Sequence, residues 1–274
     1  MPAAALRRLE HVMGTVITID VYPGPDADDA WTEELRNRLD RARLVLCRAD
    51  EVFSTWRPDS PVSRLRRGEV TPAQLPREVS VVMQACEEAR RLSAGWFDPW
   101  AMPGGFDPTG YVKGWAAQQA LAALDGLTMH GALVNAAGDI ASAGCQSSGD
   151  PFRIGISDPA EPRRLAVIAE LTGCIATSGT YERGSHLVDP HSGRPAARAA
   201  SASVIGPDLG LADALATAIA VAGPDGLDLV GPLAGYEALV IGWHGARHWT
   251  RDFPLAPQAG AGTASQGRSS PATT

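Results

Sequence analysis

Apolar positions along this chain keep two periods, and the switches between them mark most of its elements. Over 11–22 the alternation of Val12, Val16, Ile17, Ile19 and Val21 predicts a strand, broken at Met13-Gly14-Thr15 and ended by Tyr22-Pro23-Gly24-Pro25. A glycine early in such a run marks a bulge or a close approach by ligand or backbone. Asp28 then caps a long helix whose stripe, Trp31, Leu35, Leu39, Ala42, Leu46, Ala49 and Phe53, is spaced by threes and fours. Its opposite face of Arg and Glu reads as solvated. A second amphipathic helix is predicted over 75–94, ended by Gly95. A third opens at Thr109-Gly110-Tyr111-Val112-Lys113-Gly114 and closes at Gly126. Strands are predicted over 132–140, 152–157, 165–171 and 202–205, with a hairpin of 237–242 and 247–249 across His244-Gly245-Ala246. The segment 175–183 reads as a turn of small residues, followed by strand-like 185–188 and a turn over 189–194. After the turn 206–210, residues 212–220 form a helix, and 225–233 a shorter one. Two stretches, 53–60 and 96–108, keep neither period; the aromatics and Met102 of the second must pack against something or enclose something.

Composition narrows the class. The chain has 274 residues, 45% hydrophobic and 20% charged, which is ordinary for a globular protein with one large core or two small ones. A net charge of −7 excludes nucleic acid or an anionic membrane as the main partner. No run reaches the roughly 18 apolar residues of a membrane span. Cys47, Cys86, Cys145 and Cys174 form no CxxC pair and read as free thiols of a reducing compartment. No signal-length apolar core follows Arg7 and Arg8, so a cytoplasmic location is expected. From 254 to 274 the composition turns to Ala, Gly, Ser, Thr, Pro and Gln, predicting a disordered tail after a single domain over 1–253. There is no internal repeat.

The candidate chemistry centres on Asp213 and Thr217. Four residues apart in a helix, their oxygens share one face, and a carboxylate with a hydroxyl suits magnesium or calcium. The plainer alternative makes Asp213 a cap and Thr217 a packed core residue. Lys113, between Gly110 and Gly114 near a helix start, is either a phosphate seat or a surface lysine. It lacks Walker spacing. His186 with Asp189 nearby could act as a general base or be structural. Asp139 is a turn former or a ribose contact. His244 and His248 lie across a hairpin and do not read as a zinc pair. Ser178 is outside any nucleophile elbow.

Together these islands resemble the FAD:protein FMN transferase, or ApbE, family. The matching stretches are Met13-Gly14-Thr15, Phe53-Ser54-Thr55-Trp56 with Ser60, Asp107 through Lys113-Gly114, and Asn135 through Gly138-Asp139-Ile140. They continue with Ala176-Thr177-Ser178-Gly179, His186 through Asp189-Pro190 with Gly193-Arg194-Pro195, and Ala212 through Thr217. Their order across roughly residues 11 to 245 carries the resemblance. It implies an α+β fold of the T-fold-like kind, with FAD in a cleft between two lobes. It implies magnesium (manganese is possible), held by Asp213, Thr217 and the Gly110 carbonyl. It implies cleavage of FAD and transfer of FMN to a Thr or Ser hydroxyl of a partner flavoprotein, with release of AMP. By position, His186 resembles the base, and Lys113 and Asp213 take part in catalysis. Met13, Ser54, Trp56, Lys113, Asp139 and Thr177 fall where the family contacts FAD. The chain departs from the family pattern in a shortened 97–107 segment, in Gln118, in Ala137 before Gly138 and in Thr180. The competing readings are a magnesium-dependent FAD pyrophosphatase, a non-catalytic FAD-binding protein, and an inert domain with these residues scattered.

Overall fold

The structure is a computed structural model that describes residues 5–179, 187–196 and 198–257. Its spine is one antiparallel sheet of eight strands, in the order β1-β2-β3-β4-β7-β10-β11-β12. These are β1 (Leu6–Val12), β2 (Thr15–Pro23), β3 (Met129–Ala136), β4 (Asp139–Gly144), β7 (Cys174–Gly179), β10 (Ser201–Gly206), β11 (Glu237–Ile241) and β12 (Arg247–Trp249). One face packs on the helices α1 (Asp29–Phe53), α3 (Arg77–Leu92), α4 (Thr109–Ala122) and α5 (Leu209–Ala222), burying Ile17, Ile19, Val134, Val204 and Val240. The other face carries the hairpin β5 (Phe152–Ser157) and β6 (Leu165–Leu171), with Phe152, Ile175, Ile205 and Ile241 in a second core. A short helix, α2 (Pro61–Arg66), and a two-residue pair, β8 (Val188–Asp189) with β9 (Arg194–Pro195), lie outside these layers, with 3-10 turns at Pro72–Gln74 and Pro224–Leu229. The expected α+β class holds. No helix among the described residues is long and apolar enough to cross a membrane.

Alternation and stripe located most elements, and the differences have local causes. The strand predicted over 11–22 is two strands, because Met13 and Gly14 both take positive φ (55° and 70°) and close a tight hairpin turn. β1 escaped notice because it is an edge strand carrying Arg7, Arg8 and Glu10, without apolar alternation. The strand predicted over 132–140 likewise reverses at Ala137-Gly138, with φ of 52° and 95°. The turn predicted from the small residues of 175–183 is, up to Gly179, the central strand β7 between β4 and β10. Small side chains suit a strand pressed beneath a helix. The helix predicted over 225–233 is a 3-10 stretch, Pro224–Leu229. Beyond 253 the chain still pairs: the Ala256 N–H donates to the Ile168 carbonyl and the Glu170 N–H to the Pro254 carbonyl. The packed part therefore passes the boundary expected at 253, and residues 258–274 lie outside the description.

α5 begins at Leu209, four residues before Asp213. Its cap is Asp208, whose Oδ1 accepts the Leu211 N–H at 2.8 Å. Asp213 is therefore not a capping residue; it lies in the second turn. Twelve of the 14 residues of α5 are buried, as befits a helix apolar all round and enclosed by a sheet and other helices. Asp213 is the one charged side chain among them. A buried carboxylate costs several kcal/mol unless something compensates its charge.

Candidate active site

Two glycines bring α4 and α5 together. A Cβ on Gly114 would lie 2.4 Å from the Leu209 carbonyl oxygen, and one on Gly210 would lie 2.7 Å from the Tyr111 ring. Only bare backbone permits this crossing. It sets the start of α4 against the second and third turns of α5. Asp213, 3% exposed, accepts the Gly114 N–H at 3.4 Å through Oδ2. One turn on, the Thr217 hydroxyl lies 3.0 Å from the Ser178 hydroxyl of β7. Gly110 leaves helical dihedrals (φ −82°, ψ 16°), and a Cβ there would sit 3.4 Å from Thr217 Oγ1. The three residues expected to hold a metal thus converge from two helices.

All three line one cavity of about 520 Å³. Trp96, Phe97, Pro99 and Met102 wall one side, while Leu187, Val188 and Pro190 wall another. The irregular aromatic stretch therefore encloses space. A second cavity of about 430 Å³ adjoins the first, sharing Thr55, Trp56, Thr109 and Lys113. Met13, Gly14, Phe53, Ser54, Arg57 and Val112 line it. Each volume falls within the roughly 300–1,000 Å³ typical of small-molecule sites. Two apolar-walled spaces meeting at a lysine suit a ligand with a bulky group at each end and anionic charge between.

The remaining expected residues divide. Met13 stands at the turn of the first hairpin, and Trp56, 92% exposed, stands where the two cavities meet. Ser54 lines the second cavity while its Oγ accepts the N–H groups of Trp56 (3.3 Å) and Arg57 (3.2 Å), so it also shapes the loop beneath. Thr177 lines the first cavity, and its hydroxyl bonds Ser203 at 2.8 Å. Lys113 lines both and pairs with the Asp139 carboxylate. Asp139 itself is fully buried and lines neither cavity; its Oδ1 accepts the Thr177 N–H at 3.2 Å. The tight β3–β4 turn directs its carboxylate inward, where it holds Lys113 and β7. His186 lies outside the described residues; Leu187, next in the chain, lines the first cavity.

Asp189 anchors the turn that follows. Burial would raise its pKa, but the His191 N–H and the Ser192 hydroxyl, at 2.9 and 3.0 Å, hold its carboxyl below the usual range. His191 packs edge-on to Trp96, with ring centroids 4.5 Å apart.

Two residues of the cavity were given no site role by the sequence. Asp107 lines the larger cavity and accepts the Thr109 N–H at 3.1 Å, a capping role its Asp-Pro-Thr context could have suggested. Ser178 lies in a stretch that carries the family resemblance, but its approach to Thr217 comes only through the β7–α5 packing. Among the described residues no three His, Cys, Asp or Glu side chains converge on one point. The donor set here is one carboxylate, one hydroxyl and one carbonyl. Those are hard oxygens, and a Cβ on Gly110 would press on both the Phe97 ring, at 3.3 Å, and Thr217 Oγ1, at 3.4 Å. The site fits magnesium or manganese rather than zinc.

A model of the ApbE family matches residues 13–105 and 104–240, which include every described residue of this site. The chain belongs to the ApbE family. It is similar to an FAD:protein FMN transferase of Rhodobacter capsulatus, 33% identical over 139 residues, 47% of this chain and 26% of that protein. The chain thus spans about a quarter of that relative's length. It is similar along more of its length to the FAD:protein FMN transferase of Vibrio cholerae, 26% identical over 283 residues, covering 82% of this chain and 83% of the relative. The solved flavin transferase ApbE from Vibrio cholerae shares the ApbE fold with a TM-score of 0.76 at 22% identity, over 92% of this chain and 99% of that one.

Proposed function

We propose that this ApbE-family chain is an FAD:protein FMN transferase, which cleaves FAD and attaches FMN through a phosphoester to a Thr or Ser hydroxyl of a partner flavoprotein. The observation that carries this reading is the two-part cleft joined at Lys113, with Asp213, Thr217 and Gly110 converging in its larger half. Asp213, Thr217 and the Gly110 carbonyl would hold a magnesium ion, whose chemistry is to draw charge from diphosphate oxygens. Lys113 adds a fixed positive charge to the same anion, kept in place by Asp139. Trp56, Met13, Phe97 and Met102 supply the apolar and aromatic surface that flat ring systems require. His186 takes the proton of the acceptor hydroxyl as its oxygen bonds to the FMN phosphorus. The bond from that phosphorus to AMP breaks, and AMP leaves with the electron pair.

The test is co-expression with an FMN-binding acceptor, followed by intact-mass and peptide mass spectrometry. The expected result is one FMN mass added on a Thr or Ser, with AMP released in equal amount. AMP and free FMN without a protein adduct would instead establish hydrolysis. FAD that stays intact with magnesium and acceptor present would leave only binding.

A further inference from the structure

The wall of the larger cavity is a loop, turned at its start by the Asp98 carboxylate, which accepts the Trp100 N–H at 2.9 Å. Between α3 and α4, residues 97–107 place Phe97, Pro99, Met102 and Asp107 in the lining. The Asp107 N–H closes its base on the Pro99 carbonyl at 2.8 Å, and the Gly105 N–H reaches the Met102 carbonyl at 2.9 Å. The side that faces α2 is held by Arg66, from the last turn of that helix. Its Nη1 donates to the carbonyls of Gly105 and Phe106, both at 3.0 Å, and its Nη2 to that of Pro103 at 2.5 Å. Nη1 also lies 3.5 Å from Asp107 Oδ2, and the side chain is only 17% exposed. A planar fork satisfying three carbonyls and facing a carboxylate is beyond a lysine's single ammonium.

The other end of α2 is tied to the second cavity. Ser60 caps the helix, accepting the Ser63 N–H at 2.9 Å, and the Ser60 and Ser63 hydroxyls both donate to the Ser54 carbonyl, at 2.6 and 3.1 Å. Ser54 lines the smaller cavity. α2 with Arg66 therefore spans from one half of the cleft to the wall of the other. Asp107 also leads into α4, which carries Gly110 and Lys113.

We infer that Arg66 is a positioning residue that sets the 97–107 wall relative to the rest of the cleft, and so governs FAD affinity without touching the reacting atoms. The inference rests on the FAD reading above. Gly104 approaches the same guanidinium from the loop side: its φ is +84°, and a Cβ there would lie 2.9 Å from Arg66 Nη2. This provides a second perturbation of the same contact, made from the loop side.

The experiment compares wild type, Arg66→Lys, Gly104→Ala and the double variant in three measurements. These are FAD dissociation constant by calorimetry, amide exchange of 100–107 by mass spectrometry, and kcat against KM for FAD with magnesium and acceptor. Losing the fork removes two or three hydrogen bonds from the loop, so each single variant is expected to weaken FAD binding and speed exchange of 100–107 by about tenfold. kcat at saturating FAD should stay within about threefold, and the two changes should be less than additive because they act on one contact. Unchanged exchange in 100–107, or a lowered melting temperature with FAD affinity intact, would overturn the inference. Should wild type itself fail to bind FAD, the FAD reading falls, while loop exchange still decides whether Arg66 holds the wall.

Discussion

Asp213→Asn is the sharpest perturbation the cleft allows. The substitution keeps the shape of the side chain and an oxygen that can accept the Gly114 N–H, 3.4 Å from Oδ2, while removing the negative charge. With Asp213 only 3% exposed in a helix buried on 12 of its 14 residues, an uncharged amide is easier to bury than a carboxylate. The fold should therefore survive, because the amide keeps the shape of the side chain and the Gly114 bond. What the variant loses is the one carboxylate of the donor set. Removing a single electrostatic stabiliser of a transition state costs on the order of 100- to 1,000-fold, or about 2.7–4 kcal/mol. Binding is read separately. A ligand at 100 times its Kd stabilises the fold by about 2.7 kcal/mol, and each kcal/mol raises Tm by roughly 2–4 °C in a domain near this size. Wild type with FAD should thus gain about 5–11 °C when magnesium is added, and Asp213→Asn should gain almost nothing. Differential scanning fluorimetry with and without magnesium checks the shift, and chromatography of released AMP checks the rate. A variant that keeps the full magnesium-dependent shift and releases AMP within threefold of wild type would refute the assignment of Asp213 as a ligand.

Lys113→Met keeps most of the apolar stem but strands the fully buried Asp139 carboxylate, and breaking a buried pair from one side costs about 3–5 kcal/mol. Adding Asp139→Asn should restore most of that stability in urea titrations without restoring AMP release; a single variant as stable as the double would contradict the pairing. The thiols give a pH signature. Burial pushes Cys174 up to about 11 from an ordinary value of 9.0, and burial, with Asp107 and Asp213 adding to it, pushes Cys86 higher still. A thiol whose pKa is raised by folding stabilises the fold fully below pH 9 and loses that contribution as pH rises through 11. Stability against pH should therefore fall between 9 and 11 with a slope that Cys174→Ala flattens, and an equal slope in the variant would remove this cause. At pH 8, a disulfide reagent should modify Cys86 and Cys174 only after denaturant is added.

How far the sequence foretold this molecule depends on whether a feature is local. The stripe of α1 from Trp31 to Phe53 was readable because periodicity and the Asp28 cap are written within one segment. The two hairpin turns at Met13-Gly14 and Ala137-Gly138 were harder, since positive φ at Met13 and Ala137 runs against the preference of those residues. β7 was misread because its small side chains resemble a turn until the helix that covers them is known. Asp213 and Thr217 were legible as spacing, whereas Gly110, named only by the family resemblance, comes beside them through how closely two helices cross.

That crossing explains why motifs nearly a hundred residues apart form one site. In the chain Gly114 reads only as a neighbour of Lys113 and Gly210 as part of a turn, yet a single Cβ at either would force α4 and α5 apart. Separation would draw the Gly114 N–H from Asp213 and Gly110 from Thr217 together, since both pairs span the same helix contact. The meeting of Asp213, Thr217 and Gly110 is thus a property of packing, arranged by residues that carry no functional group at all. The same logic holds on the far side of Lys113. Asp139 contributes by lying beneath the cleft, where its charge keeps an ammonium pointed at the junction of the two cavities. A carboxylate in such a place resembles a ligand contact in sequence because the glycine turn that precedes it is the same in either role; only the inward direction of the side chain separates the two.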